Sequence, residues 1–288
     1  RCPVRLRLTP AQPFRKGAVW RKQRVSVYTG FETAFSFKMS DLSRSCTYVR
    51  DRNFNTHHHT SCMVHGGDGF ALVIHGNYEN TGSVGEGIHT LGEGGEGMGY
   101  EGIPNSIAIE FDTWYNPRTE DVFEDHVGIQ THGIDPNHPG TPARLGVAQE
   151  HPLADGKVHT AKVAYYRYLK YDLLPYFKGS TSLLPWLLDN GEARRVGTLV
   201  VWVDDMDVPL MAVPLNLSVL LKLRAGEAYI GFTSATGNSF EKHDILKWYF
   251  CELNGCPRLN LPDNWLEDID YHRDTLKNEP ASTVDGGE

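Results

Sequence analysis

The chain has 288 residues, of which 40% are hydrophobic, 11% aromatic and 22% charged, a mixture too apolar for disorder and too polar for a bundle of membrane helices. Its 36 acidic and 28 basic side chains leave a formal charge of −8, which argues against nucleic acid as a partner, because phosphate backbones call for clustered Lys and Arg. No stretch approaches the roughly 18 consecutive apolar residues of a membrane helix. The nearest, Val208 to Leu223, is interrupted by Pro209, Pro214, Asn216 and Lys222, so no membrane span is expected.

Taken in chain order, short runs rich in Val, Ile, Phe, Tyr and Thr recur between Gly, Asn, Asp and Pro clusters. Strands are predicted at Arg24 to Tyr28, Glu32 to Lys38, Gly69 to His75, Ser106 to Thr113, His126 to Thr131, Lys157 to Tyr168, Gly197 to Val203, Ala228 to Ser234 and Ile245 to Glu252. With no convincing long amphipathic helix, the expected class is all-β, two antiparallel sheets packed face to face. The sandwich is expected over residues 1–260, interrupted at 169–193 by Leu173-Leu174-Pro175-Tyr176-Phe177 and Leu183-Leu184-Pro185-Trp186-Leu187-Leu188, too apolar for an ordinary solvated loop. That insertion is expected to pack on the sandwich, the other reading being a protein partner. Residues 261–288 read as an acidic C-terminal extension or linker, with one short helix over Trp265 to Leu276. Because the chain begins at Arg1, it is not expected to start where the gene product starts.

Five cysteines bear on the compartment. Cys46 and Cys62 flank a polar insert and Cys251 and Cys256 enclose a short turn, so two bridges with Cys2 left over are expected, buried free thiols being the alternative. Bridges place the chain in an oxidising compartment: secreted, at the cell surface or in an endomembrane lumen. The sequon Asn216-Leu217-Ser218 is compatible with this. The run His57-His58-His59, with His65, reads as a solvated loop rather than a metal site.

The chemistry concentrates in Ile107-Ala108-Ile109-Glu110-Phe111-Asp112-Thr113-Trp114-Tyr115-Asn116 and the following Asp125-His126-Val127-Gly128-Ile129. Residues two apart on a strand share a face, so Glu110 and Asp112 project together, and pairing with a strand that begins at His126 adds an imidazole, with Asp121 in the connecting loop. Oxygen donors suit calcium, and an imidazole among carboxylates suits a transition ion such as manganese. The bland reading makes Glu110 and Asp112 solvated strand residues.

These residues belong to an ordered series from about Gly17 to Phe250. It runs through Gly30-Phe31-Glu32-Thr33, Gly67-Asp68-Gly69-Phe70-Ala71, the glycine loop Leu91 to Tyr100, Asn105 to Thr113, His126-Val127-Gly128-Ile129, Asp155 to Thr160, Gly231 to Gly237 and His243 to Phe250. The series resembles the L-type lectins, the legume-lectin-like carbohydrate-binding domains. The resemblance implies a concanavalin-A-like jelly-roll sandwich with a shallow sugar site in loops at one end. It implies a transition metal held by Glu110, Asp112, Asp121 and His126, and a calcium held by Asp112, Asp121, Asn116 and the Trp114 carbonyl. Sugar hydroxyls would meet Asp68, a backbone amide at Gly94 or Gly95 and the Asn116 amide, over the Trp114 ring. A cis Gly67–Asp68 peptide is implied as well. The glycine loop departs from the family pattern in carrying Glu93, Glu96 and Glu101, which disfavours sialylated or sulfated glycans; Val122 stands where proline is usual, and Pro117 stiffens the loop after Asn116.

The implied function is a calcium- and transition-metal-dependent lectin that binds glycans or glycoproteins. A glycoside hydrolase is disfavoured because the strand that would supply its second carboxyl has Tyr115 there instead. The remaining alternative is an interaction module that docks on partner proteins in a larger assembly through 169–193 or the C-terminal extension.

Overall fold

Aromatic and β-branched residues spaced two apart turn one face of most strands toward a shared apolar layer, and those strands pair around it. The computed structural model describes residues 5–50, 58–79, 84–122, 124–149, 152–178 and 196–253. One antiparallel sheet has the order β1 (Leu6–Thr9), β15 (Lys242–Glu252), β4 (Phe31–Ser40), β11 (Val158–Tyr166), β12 (Gly197–Val203) and β13 (Met211–Leu215). The other runs β10 (Arg144–Gln149), β9 (His126–Thr131), β8 (Ser106–Asp112), β7 (Gly69–His75), β14 (Glu227–Ala235) and β2 (Lys16–Trp20), with β3 (Val25–Ser26) also on β14. A separate two-stranded ribbon joins β5 (Ser43–Arg50) to β6 (His58–His65).

Between the sheets lies an aromatic core. Phe70 and Phe111 stack with centroids 4.8 Å apart, Phe37 meets them edge-on at 5.0 and 5.2 Å, and Phe35 meets Phe232 at 4.9 Å. The opposite face of β7 and β8 is also covered, because Met98, Tyr100 and Ile103 of the glycine loop pack on the small side chains Ala71, Val73 and Ala108. Both faces of these strands are therefore buried, and the loop is anchored to the sheet. On the outer face of the six-stranded sheet, Leu169 and Phe177 pack with Val200, Trp202 and Ala212, so the start of the apolar insertion is a packed element. Residues 179–193 lie outside the described residues, as does 261–288.

Each predicted strand is present, and six more appear among the described residues: β1, β2, β5, β6, β10 and β13. β13 was hidden by Pro214, which a strand tolerates at a sheet edge, the place β13 occupies. β5 and β6 were hidden because they lack a buried face, so no apolar alternation marks them. This corrects the expectation of a solvated loop at His58 and His59, which lie on β6; His57 is outside the described residues. Cys46 and Cys62 are direct cross-strand partners and form a disulfide. The ribbon's base is tied to the sandwich through Ser43, whose N donates to Phe240 O at 2.8 Å and whose Oγ accepts from Phe240 N at 3.2 Å; Ser43 Oγ also donates to His65 O across the ribbon at 2.8 Å. Cys251 is also disulfide-bonded, whereas Cys2 and Cys256 lie outside the described residues. Asn216 of the sequon caps the short helix α1 (Leu217–Leu220), accepting from Val219 N. Among the described residues no helix is long and apolar enough to cross a membrane.

Phe111 lies at the centre of the aromatic cluster and is completely buried. Phe111→Ala is expected to cost about 3–5 kcal/mol, read in urea as a lower midpoint at unchanged slope. A loss below about 1 kcal/mol would contradict this placement of the core.

Candidate functional site

The end of β8 and the start of β9 build the first half of the site through register alone. Asp112 pairs with His126 and Glu110 with Gly128, so strand pairing sets two carboxylates and an imidazole on one face. A Cβ on residue 128 would sit 2.2 Å from Glu110 Oε1, so glycine there leaves room for the carboxylate. Asp121, from the loop between the strands, completes a group in which ligand atoms of Asp112, Asp121 and His126 all lie within 4.8 Å of one another. Glu110 Oε1 is 3.6 Å from His126 Nε2.

Each carboxylate is held by donors. Tyr100 OH donates to Glu110 at 2.5 Å and Gln130 Nε2 at 2.6 Å. Trp114 N donates to Asp112 Oδ1 at 2.7 Å. Asp121 accepts from Asn116 N at 2.8 Å, Thr119 Oγ1 at 2.9 Å and Arg144 Nη2 at 3.2 Å. Burial, with the Glu110 and Asp121 charges, pushes Asp112 well above the usual carboxylate range against the opposing pull of His126. Burial also pushes Asp121 up. Burial draws the His126 value down, but the Glu110 hydrogen bond and the charges of Asp112, Glu110 and Asp121 raise it to about 9. Crowded buried carboxylates with one imidazole are a donor set that fits divalent cations. Asn116 Oδ1 adds a further buried oxygen acceptor with no partner among the described residues.

Beside this group lies a cavity of about 330 Å³, lined by Asp68, Gly94, Gly95, Trp114 and Asn116 together with Phe14, Glu96, Arg118 and the Gly237–Ser239 loop. The five residues that the resemblance assigned to sugar binding thus share one cavity. Asp68 is 6% exposed, and its Oδ2 has no hydrogen-bond partner among the described residues. Burial, then the Glu96 and Glu241 charges, raise it to about 7. The Gly67–Asp68 peptide is cis, as the resemblance implied. Gly95 has φ of +59°, a left-handed conformation that suits glycine, and it turns the loop at the cavity's edge. Trp114 is half-buried, with its ring 5.7 Å from that of His65 at the ribbon base.

Several supporting residues were missed by sequence reasoning. Gln130 follows His126 by four on the same strand, so the period-two rule that found His126 could have found it. Arg144 reaches the site only because β10 pairs with β9, and nothing local signals it. Beneath Asp68, buried Glu241 accepts from Thr113 Oγ1 at 2.7 Å and lies 3.1 Å from His243 Nε2, while Thr113 N donates to Asp68 O at 3.0 Å.

His126 and Asp68 both hold their protons more tightly in the folded chain than in the unfolded one. The stability from His126 is complete below its unfolded value of 6.5 and is lost as pH rises through about 9; that from Asp68 is complete below 3.8 and lost as pH rises through about 7. The melting temperature of chelator-treated protein should therefore fall between about pH 5 and about pH 9, while stabilisation by added calcium grows as the ligands lose their protons. Scanning calorimetry across that range checks both trends. A chelated protein whose melting temperature rises with pH would contradict them.

The legume lectin domain family model matches residues 11–263. A probable L-type lectin-domain containing receptor kinase S.7 of Arabidopsis thaliana is 24% identical over 253 residues, covering 83% of this chain and 28% of the kinase. The L-type lectin-domain containing receptor kinase SIT2 of Oryza sativa subsp. japonica is 26% identical over 162 residues, 54% of this chain and 20% of the kinase. The chain thus spans less than a third of either relative's length. Among solved structures, peanut lectin with a 9mer peptide matches with a TM-score of 0.51 at 19% identity over 85% of this chain and 84% of that one. The VIP36 exoplasmic/lumenal domain in its Ca2+/Man3GlcNAc-bound form also matches at 0.51, with 17% identity over 86% and 78%. These structural likenesses establish a shared fold, the jelly-roll sandwich of two antiparallel sheets. With the family model matched over most of its length, this chain belongs to the legume lectin domain family.

Proposed function

We propose that this chain is a calcium- and transition-metal-dependent lectin domain that binds glycans through the cavity between Asp68, the glycine loop, Trp114 and Asn116. As a legume lectin domain it is a carbohydrate-binding module and not an enzyme. The observation that carries the metal dependence is a pair of main-chain hydrogen bonds: Trp114 N to Asp112 and Asn116 N to Asp121. They couple the residues that face the cavity to the carboxylates that would face the ions.

Glu110, Asp112, Asp121 and His126 would hold a transition ion such as manganese, and Asp112, Asp121, Asn116 and the Trp114 carbonyl a calcium. Bound cations would neutralise the crowded carboxylates and fix their rotamers. Asp68 offers a buried acceptor to sugar hydroxyls, the Asn116 amide a donor, and the Gly94–Gly95 backbone a close approach for the ligand. The Trp114 ring offers an apolar surface for the sugar's C–H face. VIP36 was solved with calcium and a mannose-containing glycan, which supports calcium here.

Glycoproteins at a cell surface or in a lumen are the proposed partners. The Cys46–Cys62 disulfide supports an oxidising compartment, as does the exoplasmic/lumenal description of VIP36. Residues 1–260 are proposed as the lectin unit and 261–288 as an extension toward further domains, in keeping with the greater length of the receptor-kinase relatives.

Asp112→Ala should lower bound metal and glycan affinity together while the sandwich still folds, as read by metal analysis and circular dichroism; unchanged metal content would count against the assignment. Asp68→Asn should weaken glycan binding roughly ten- to a hundred-fold with metal affinity nearly unchanged, since one charge-assisted bond of about 1.5–3 kcal/mol is lost. Equal glycan affinity in calorimetric titration would remove Asp68 from the sugar site.

A further inference from the structure

Phe14 was not among the residues expected at the sugar site. It lines the same cavity as Trp114, yet it comes from the segment between β1 and β2. It is 72% exposed and its φ is +54°, the left-handed region that a bulky residue seldom adopts. The conformation is imposed from the neighbouring loop. Phe14 N donates to Gly237 O at 3.1 Å and Thr236 N to Arg15 O at 2.8 Å. Buried Thr236 Oγ1 accepts from Arg15 N at 2.9 Å and donates to Gln12 O at 2.7 Å. On the other side, Lys16 Nζ donates to Gly92 O at 2.8 Å, so the segment is fixed between two loops of the site.

An aromatic residue held in a strained backbone conformation, exposed to water and lining a cavity with another aromatic residue at its wall, has no role in the sandwich core. Strain that the surroundings enforce points toward function. The cavity's charged groups are the carboxylates of Asp68 and Glu96 and the Arg118 guanidinium, which donates to Glu96 at 2.8 Å. That balance suits a neutral ligand rather than an anionic one.

Resting on the carbohydrate reading of this site, we propose that Phe14 is the second aromatic surface of the cavity and covers the apolar face of the ring attached to the first sugar, so that the ligand is a neutral glycoside of at least two rings. The outer ring is a second sugar or an aromatic aglycone, and each presents an apolar face to Phe14.

The test begins with a panel of methyl glycosides of mannose, glucose, galactose, fucose, N-acetylglucosamine and N-acetylgalactosamine, titrated calorimetrically in calcium and manganese. For the sugar that binds, the p-nitrophenyl glycoside and disaccharides ending in that sugar are then titrated against the parent, Phe14→Ala and Phe14→Tyr. Phe14→Ala should bind the methyl glycoside within about twofold of the parent and the two-ring ligands about tenfold more weakly, with Phe14→Tyr close to the parent. A loss confined to the p-nitrophenyl compound assigns an aglycone, and one confined to disaccharides assigns a second sugar. Undiminished two-ring binding by Phe14→Ala, or an equal loss for the methyl glycoside, overturns the role of Phe14 and leaves the sugar site standing. No glycoside bound by the parent removes the carbohydrate reading and this inference with it.

Discussion

Glu110, Asp112 and Asp121 are withdrawn from water within one cluster, beside His126. A lone buried carboxylate costs several kcal/mol even after relaxation, and three together repel one another. The chain meets this cost in three ways. Donors converge on the oxygens from Tyr100, Gln130, Trp114, Asn116, Thr119 and Arg144. The neighbouring carboxylates favour the charged form of His126, and burial pushes Asp112 toward its neutral form. The loop from Thr113 to Asp121 takes its path from these bonds, and that path sets Trp114 and Asn116 at the cavity. The placement of the cavity's residues thus depends on electrostatics beneath the surface, and in the proposed reading sugar recognition depends on it too.

The sandwich contributes rigidity. Phe111, between Glu110 and Asp112, points the other way into the aromatic core, so the same strand that presents the carboxylates is locked by its opposite face. The glycine loop is similarly fixed by Met98, Tyr100 and Ile103, and Tyr100 serves twice, packing against the sheet and donating to Glu110. The Asp68 segment rests on Thr113, itself bonded to buried Glu241. Wall and floor of the cavity are parts of one hydrogen-bonded framework.

How much of this was legible in the sequence depends on what each residue needs. Glu110, Asp112 and His126 were readable because strand periodicity and one assumed pairing place them, and the pairing holds. The core strands were readable because a buried face leaves runs of β-branched and aromatic residues behind, bounded by turn residues. The β5–β6 ribbon was not, since a disulfide and main-chain bonds hold it without such a face. Arg144, Glu241 and Phe14 reach the site through contacts between elements distant in the chain, which no local pattern encodes. The gathering of Asp68 with the glycine loop and Asn116 was legible only through the ordered family series, because spacing alone makes Asp68 an ordinary turn residue.

The coupling of ion binding to sugar recognition is tested most directly by one comparison. Protein stripped with chelator is applied to a glycan array, then reapplied after calcium and manganese are restored. The account predicts that signal on neutral glycans is absent from the stripped protein and returns with the ions. Glycan binding that persists undiminished in chelator, or that never appears with both ions present, would contradict it.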